Sequence, residues 1–287
     1  MTHRGNWEAV PELPDVEHYR GFFAEHATGR TVASVWADPT IVRNATPRAL
    51  AAALQGHRFE EPTRHGKWLT AWTDGPALLL HFGMTGDLAW SGDEPDRHRH
   101  DRLILGFAEG GELRYRNMRK LGGVWLAHDG AEAETILGPL GPDALGIDRR
   151  QLLHLLSIRR GGLKAALMDQ TLLAGIGNLL ADEILWQARL HPKRTFDSLS
   201  SEELAELVRS IRRVVRESID YDYVSRKRSW LSHVRGRLNG ACPRCGTPLA
   251  RTVVAGRTTY FCPNCQKEPR PVSGHLRSSA RVTMRGR

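Results

Sequence analysis

Four cysteines crowd into one short stretch, residues 240–266, GACPRCGTPLARTVVAGRTTYFCPNCQ, and the 287-residue chain has no others. Cys242, Cys245, Cys262 and Cys265 read C-x2-C, sixteen residues, C-x2-C. Two such knuckles supply four thiolates. They can close a tetrahedral Zn2+ site with no open coordination position, so one structural zinc is expected. The alternative is two disulfides. A C-x2-C pair fits disulfide geometry poorly, and the N-terminus has no apolar export region. Between the knuckles, residues 249–254 and 257–261 are β-prone and flank Ala255-Gly256. This predicts a hairpin with a tight turn and Arg257 beside its tip. A ribbon so short cannot bury a core of its own, so the metal would hold it.

The setting of this ribbon is positive. Residues 224–239 hold Arg226, Lys227, Arg228, Arg235 and Arg237 and no acid. Residues 266–287 hold six Lys/Arg against Glu268 alone. The chain as a whole carries a formal charge of +9. A metal-stapled hairpin among cations points to a polyanionic partner, and nucleic acid is the first candidate. No apolar run reaches the ~18 residues of a membrane span. Reduced cysteines and the missing export region fit a cytoplasmic protein.

Upstream, the pattern changes twice. Residues 1–10 are polar and aperiodic. In the PELPDVE stretch at 11–17, Asp15 is read as the cap of a helix running to about Ala27, with Val16, Tyr19, Phe22 and Phe23 on one face. Short β-prone runs follow at 30–37, 67–73, 77–82, 87–90, 103–107, 113–116 and 124–127, with one short helix at 48–54. Strands of that length and spacing predict a sandwich or barrel. Residues 138–146, GPLGPDALG, read as a linker. Helices are expected beyond it at 149–157, 163–168, 179–188 and 200–221. Asn178 would sit near a helix N-terminus, where amides and dipole favour an anion such as a phosphate. Gly175 and Gly177 before it serve equally well as packing glycines. The expected domains are an extension at 1–10, a β-sandwich at 11–137, a linker at 138–148, a helical domain at 149–239, the four-cysteine finger at 240–266 and a disordered basic tail at 267–287.

Five stretches, in order, resemble the formamidopyrimidine-DNA glycosylase/endonuclease VIII family of base-excision repair enzymes. They are PELPDVE, RHGKW around Lys67, HFGMTG at 81–86, MDQTLLAGIGNLLADEILWQARLHP at 168–192, and GRTTYFCPNCQ. The resemblance implies an α+β protein: a β-sandwich led by one helix, a helix–two-turn–helix domain and a zinc hairpin, with damaged double-stranded DNA between the domains. It implies a monomer acting at the nucleoid. In such enzymes an N-terminal proline, here Pro11, attacks the sugar C1′ and forms an iminium, and elimination of the 3′ phosphate follows. Glu12 matches the general acid/base. Lys67 matches a β-strand lysine for proton transfer and phosphate contact. Arg257 matches the hairpin arginine of the second elimination. For DNA, Asn178, His100 and Arg119 match contact positions, Arg160 corresponds by spacing, and Met84 matches the wedge that fills the vacated stack.

The sequence departs from that pattern at three places. Ten residues precede Pro11, and an amide nitrogen cannot form an iminium. Initiation at Val10 through a GTG codon, or trimming, would free it; a retained extension would favour a catalytically silent DNA-binding protein on the same scaffold. Arg119-Lys120-Leu121 stands where formamidopyrimidine types carry Arg-Arg-Phe. Val234-Arg235-Gly236-Arg237 replaces a Tyr-Gly-Arg element, and the segment before the finger is short. Oxidised purines are the first expectation for the substrate, with oxidised pyrimidines second. A zinc-ribbon transcription factor would explain the cysteines but not the N-terminal motifs.

Overall fold

The computed structural model describes residues 10–92, 97–220 and 227–268. Residues 1–9, Arg226 and the basic tail from 269 on lie outside that description.

Helix α1 (Leu13–Ala27) is the first element among the described residues. Its N-cap is Glu12, not Asp15 as the sequence suggested. Pro14 suits the first turn, where no amide partner is needed. Asp15, three residues into the box, instead accepts the Glu12 N–H at 2.7 Å.

Two four-stranded antiparallel sheets follow. One is ordered β1 (Val32–Ala37), β6 (Asp101–Phe107), β7 (Glu112–Asn117), β5 (Gly86–Ser91). The other is ordered β2 (Thr63–His65), β3 (Trp68–Trp72), β4 (Ala77–His81), β8 (Gly123–Ala127). Helix α2 (Pro47–Leu54) lies between β1 and β2 in sequence. The sandwich core holds Val32, Leu69, Leu78, Leu80, Leu103, Leu105 and Tyr115, together with Val16, Tyr19 and Phe23 of α1. β4 is apolar on both faces. Leu78 and Leu80 point into this core, while Ala77 and Leu79 face a smaller cluster of Trp68, Trp72 and Trp125. Helix α3 (Gly130–Leu137) closes that cluster through Ala133, Ile136 and Leu137. Periodicity does not reveal α3, because only Ala133 is fully buried in it. β2 was missed for being three residues long.

The helical part comprises α4 (Arg149–Ser157), α5 (Leu163–Met168), α6 (Asn178–Gln187), α7 (Ser201–Ile219) and α8 (Leu231–Val234). Ser200 and Glu203 form a reciprocal cap on α7. Its apolar side, Leu207, Ile211, Val214 and Val215, packs with Leu180, Ile184 and Leu185 of α6. Leu13 of α1 belongs to this second core, whereas Val16 onward belongs to the sandwich. One helix is therefore embedded in both bodies, and the residues just before it, Pro11 and Glu12, are buried at the seam.

The ribbon β9 (Ala250–Val254) and β10 (Arg257–Phe261) is the expected hairpin. Both residues of its turn, Ala255 and Gly256, have positive φ of 50° and 70°. That is the pattern of a type I′ connection, whose twist matches the strands.

Candidate active site and zinc centre

Glu12 occupies the place where a phosphate had been expected. Its carboxylate accepts N–H groups from Gly177 (3.0 Å), Leu179 (2.7 Å) and Leu180 (3.0 Å) at the start of α6. The exposed amides of that helix end, with the positive end of its dipole, are thus filled by an anion from the chain itself. The approach is close enough to require glycine. A Cβ on Gly177 would stand 2.3 Å from Glu12 Cδ. Gly175, at φ +111°, would drive a Cβ to 2.4 Å from Leu13 Cδ1. Both glycines therefore serve packing. Asn178 turns sideways, and its Nδ2 donates to the Thr258 carbonyl of β10 at 3.1 Å.

Lys67 lies in the two-residue turn between β2 and β3, not on a strand. The turn is clamped from the linker. Asp143 accepts the Gly66 N–H at 2.7 Å, and Arg64 donates to the Gly66 carbonyl at 3.0 Å. Arg64 also pairs with Asp143 at 2.5 and 2.9 Å and with Glu17 at 2.7 Å. Burial lowers the proton affinity of the Lys67 ammonium, and the nearby Arg257 charge adds to that effect against the pull of Glu12 and Asp15. Lys67, Glu12, Asp15 and Arg257 therefore share one electrostatic neighbourhood. Burial pushes the Asp15 carboxyl up to about 7, and the adjacent Glu12 charge contributes. Arg257 itself is exposed at the first position of β10.

His81 was not singled out from the sequence. It pairs across the sheet with Trp68, directly after Lys67, and their rings lie 4.9 Å apart. Burial, then the Lys67 charge, bring its pKa down to about 4. The ring is neutral at pH 7. Its Nδ1 accepts the Gly83 N–H at 3.2 Å, which leaves the proton on Nε2.

Met84 and Arg119 come together at one edge of the sandwich, with Arg119 Nη1 3.6 Å from Met84 Sδ. The buried Asn117 pins both loops: it accepts from Thr85 Oγ1 (3.1 Å) and the Lys120 N–H (2.8 Å) and donates to the Phe82 carbonyl (3.3 Å). Met118 and Leu121 on the same loop are 40% and 59% exposed. His100 sits in the loop before β6, 5.2 Å ring to ring from His98. Arg160 stands apart in the α4–α5 loop, paired with Asp197 at 3.0 Å.

The four cysteine sulfurs lie within 4.8 Å of one another. Three of their separations are 3.5, 3.5 and 3.9 Å. Four sulfurs about 2.3 Å from a tetrahedral Zn2+ stand about 3.8 Å apart, so the site fits zinc. The Trp186 indole N–H and the Cys265 amide donate to Cys242 and Cys262 sulfurs at 3.3 Å each, tuning the thiolates as an outer shell does. Gln266, 1% exposed, bridges the Cys262 N–H and the Leu190 carbonyl at 2.9 Å each and docks the finger on the helical part. The four cysteines would hold one structural zinc at the base of the ribbon, with no coordination position left open for chemistry.

Three family models match in chain order: the formamidopyrimidine-DNA glycosylase N-terminal domain over residues 10–124, the formamidopyrimidine-DNA glycosylase H2TH domain over 140–229, and the zinc finger found in FPG and IleRS over 241–267. A formamidopyrimidine-DNA glycosylase of a Nocardioides species is 38% identical, covering 91% of this chain and 96% of its own. One from Herpetosiphon aurantiacus is 36% identical, covering 90% and 100%. A Lactococcus lactis Fpg crystallised with N7-benzyl-Fapy-dG DNA superimposes with a TM-score of 0.80 at 30% identity, over 90% of this chain and all of that one. The same enzyme bound non-covalently to DNA containing an AP site gives 0.81 at 30% identity, with the same coverage. With three family models in order and relatives of 36–38% identity over nine-tenths of its length, the chain belongs to the formamidopyrimidine-DNA glycosylase family.

Proposed function

We propose that this protein is a bifunctional DNA glycosylase and abasic-site lyase that removes oxidised purines from double-stranded DNA, with Pro11 as its nucleophile. The observation that carries this reading is the Glu12 carboxylate, locked by three amides of α6 directly beside Pro11 and across from Lys67. An immobile carboxylate next to a secondary amine is what imine chemistry at a sugar carbon needs.

In this reading the free Pro11 nitrogen bonds to C1′ as the glycosidic bond breaks, and the base departs with the bonding electrons and a proton. Glu12 then protonates O4′ as the C1′–O4′ bond breaks, and the nitrogen lone pair closes the C1′ iminium. The iminium draws electrons from C2′, the C2′ proton is lost, and the C3′–O bond breaks to release the 3′ phosphate. Water adds to the iminium carbon, and the C1′–N bond breaks to return the amine. Lys67, the Nε2–H of His81, Asn178 and Arg257 surround the phosphates of the extruded nucleotide. Met84 and Arg119 fill the gap in the stack, with exposed Leu121 beside them. His100 and Arg160 are read as outlying phosphate contacts. The relatives named above are formamidopyrimidine enzymes, so neither the silent DNA-binding reading nor the endonuclease VIII reading gains support. No helix among the described residues can cross a membrane. A monomer in the cytoplasm, on the nucleoid, completes the reading.

The mechanism requires a free Pro11 amine, and the family-model match beginning at residue 10 supports Pro11 as the working first residue. The test is borohydride trapping on abasic-site DNA with protein that begins at Pro11 and protein that begins at Met1. The first should form a covalent adduct and the second should not. No adduct from the protein beginning at Pro11 would overturn the reading.

A further inference from the structure

We propose that Asp182 is the positioning residue that holds the zinc hairpin, and Arg257 with it, in register with Glu12. The proposal rests on the reading of Arg257 as a phosphate contact in the active site.

Asp182 lies on α6, two residues beyond the last amide that holds Glu12. Its side chain and that of Lys164 are both fully buried. Oδ1 accepts Lys164 Nζ at 2.6 Å. Oδ2 accepts Arg235 Nε at 2.8 Å and the Tyr260 N–H at 3.2 Å. The two cations extend the grip along β10. Lys164 donates to Thr259 Oγ1 at 2.6 Å, and that hydroxyl donates to the Arg257 carbonyl at 3.0 Å. Arg235 donates to the Thr258 carbonyl at 3.2 Å and lies 5.1 Å from the Tyr260 ring centroid. Three consecutive residues, 258–260, are therefore held by Asp182 or by a cation paired with it, and Arg257 is tied to them through the Thr259 hydroxyl.

The same helix thus grips Glu12 at its first turn and, one turn later, the strand that carries Arg257. A helix turn is stiff, so the distance between the two is set by the backbone of α6 and not by the zinc, which sits at the other end of the ribbon. A cluster of two cations and one carboxylate, away from water, tolerates little rearrangement. Lys164, buried between Asp182 and Thr259, is a strut of this latch.

The experiment is a double-mutant cycle of Asp182→Asn and Arg257→Ala, in full zinc-loaded protein starting at Pro11. Cleavage of abasic-site duplex is followed as kcat and KM. Asp182→Asn keeps the shape and removes the charge. It is expected to lower kcat about 10- to 100-fold, and to do nothing further in the Arg257→Ala background. Zinc content should be unchanged, and the Tyr260 amide should exchange faster. Equal fold losses in both backgrounds would overturn the proposal. If Asp182→Asn does not fold, Arg235→Met leaves the Lys164–Asp182 pair intact and should show the same dependence on Arg257, by about 3- to 10-fold. Affinity for a duplex with a reduced abasic site supplies a second cycle that needs no chemistry. Were the parent protein inactive, the enzymatic reading would fall, and non-additivity in that affinity would still decide the role of Asp182.

Discussion

Replacing Asp15 with Asn should stabilise this protein, and only above acid pH. Asp15 is 4% exposed. Burial moves its carboxyl from 3.8 to about 7. Between those values the folded chain holds a proton that the unfolded chain has already lost. Stability therefore falls as pH rises through this window, and the loss is complete above about pH 7. A difference of about 3 units, at about 1.4 kcal/mol each, sets the penalty at about 4 kcal/mol. Asp15→Asn keeps an oxygen for the Glu12 N–H, 2.7 Å away in the parent, and carries no charge to bury. Urea unfolding of parent and variant at about pH 4 and about pH 8 measures the effect. Subtracting the two curves cancels other groups, such as His81, whose lowered pKa makes both proteins lose stability as pH falls below about 6.5. The variant should match the parent at the acid end and exceed it by about 4 kcal/mol at the alkaline end. Parallel pH profiles would refute the claim that Asp15 is held protonated at the seam.

Three further outcomes follow from the same geometry. Gly177→Ala places a Cβ 2.3 Å from Glu12 Cδ, so base release should fall by about 100-fold or more while far-UV circular dichroism stays unchanged. Arg64→Met strips Asp143 and Glu17 of their shared partner in a nearly dry site; thermal or urea unfolding should show a loss of about 3–5 kcal/mol. Cys262→Ser should abolish zinc binding by metal analysis and weaken DNA binding, and near-UV spectra should report an intact tryptophan-rich sandwich, because that core shares no residue with the finger.

Sequence and structure divide the protein unevenly. The zinc centre was readable because its determinants are local: cysteine spacing, a two-residue turn and β-prone flanks lie within 24 residues of one another. Most sandwich strands and four of the later helices were readable from periodicity, which short or outward-facing elements lack, as β2, α3 and α8 show. The motifs were enough to name the family and to nominate Pro11, Glu12, Lys67 and Arg257. They could not say what holds those residues. The partners of Glu12 lie 165 to 168 positions away, and Lys164 meets Thr259 across 95. Pairings of that span leave no local pattern, since each partner obeys only its own helix or strand. An Asp in a helix, a Lys in another and an Arg in a loop look like solvated surface until packing removes the water. So the sequence by itself determined the chemistry available and the metal. Only the tertiary structure decided that the amides of α6 hold a carboxylate of the chain itself, and that Asp182 ties the hairpin to that same helix, because both depend on which charges end up sharing one desolvated space.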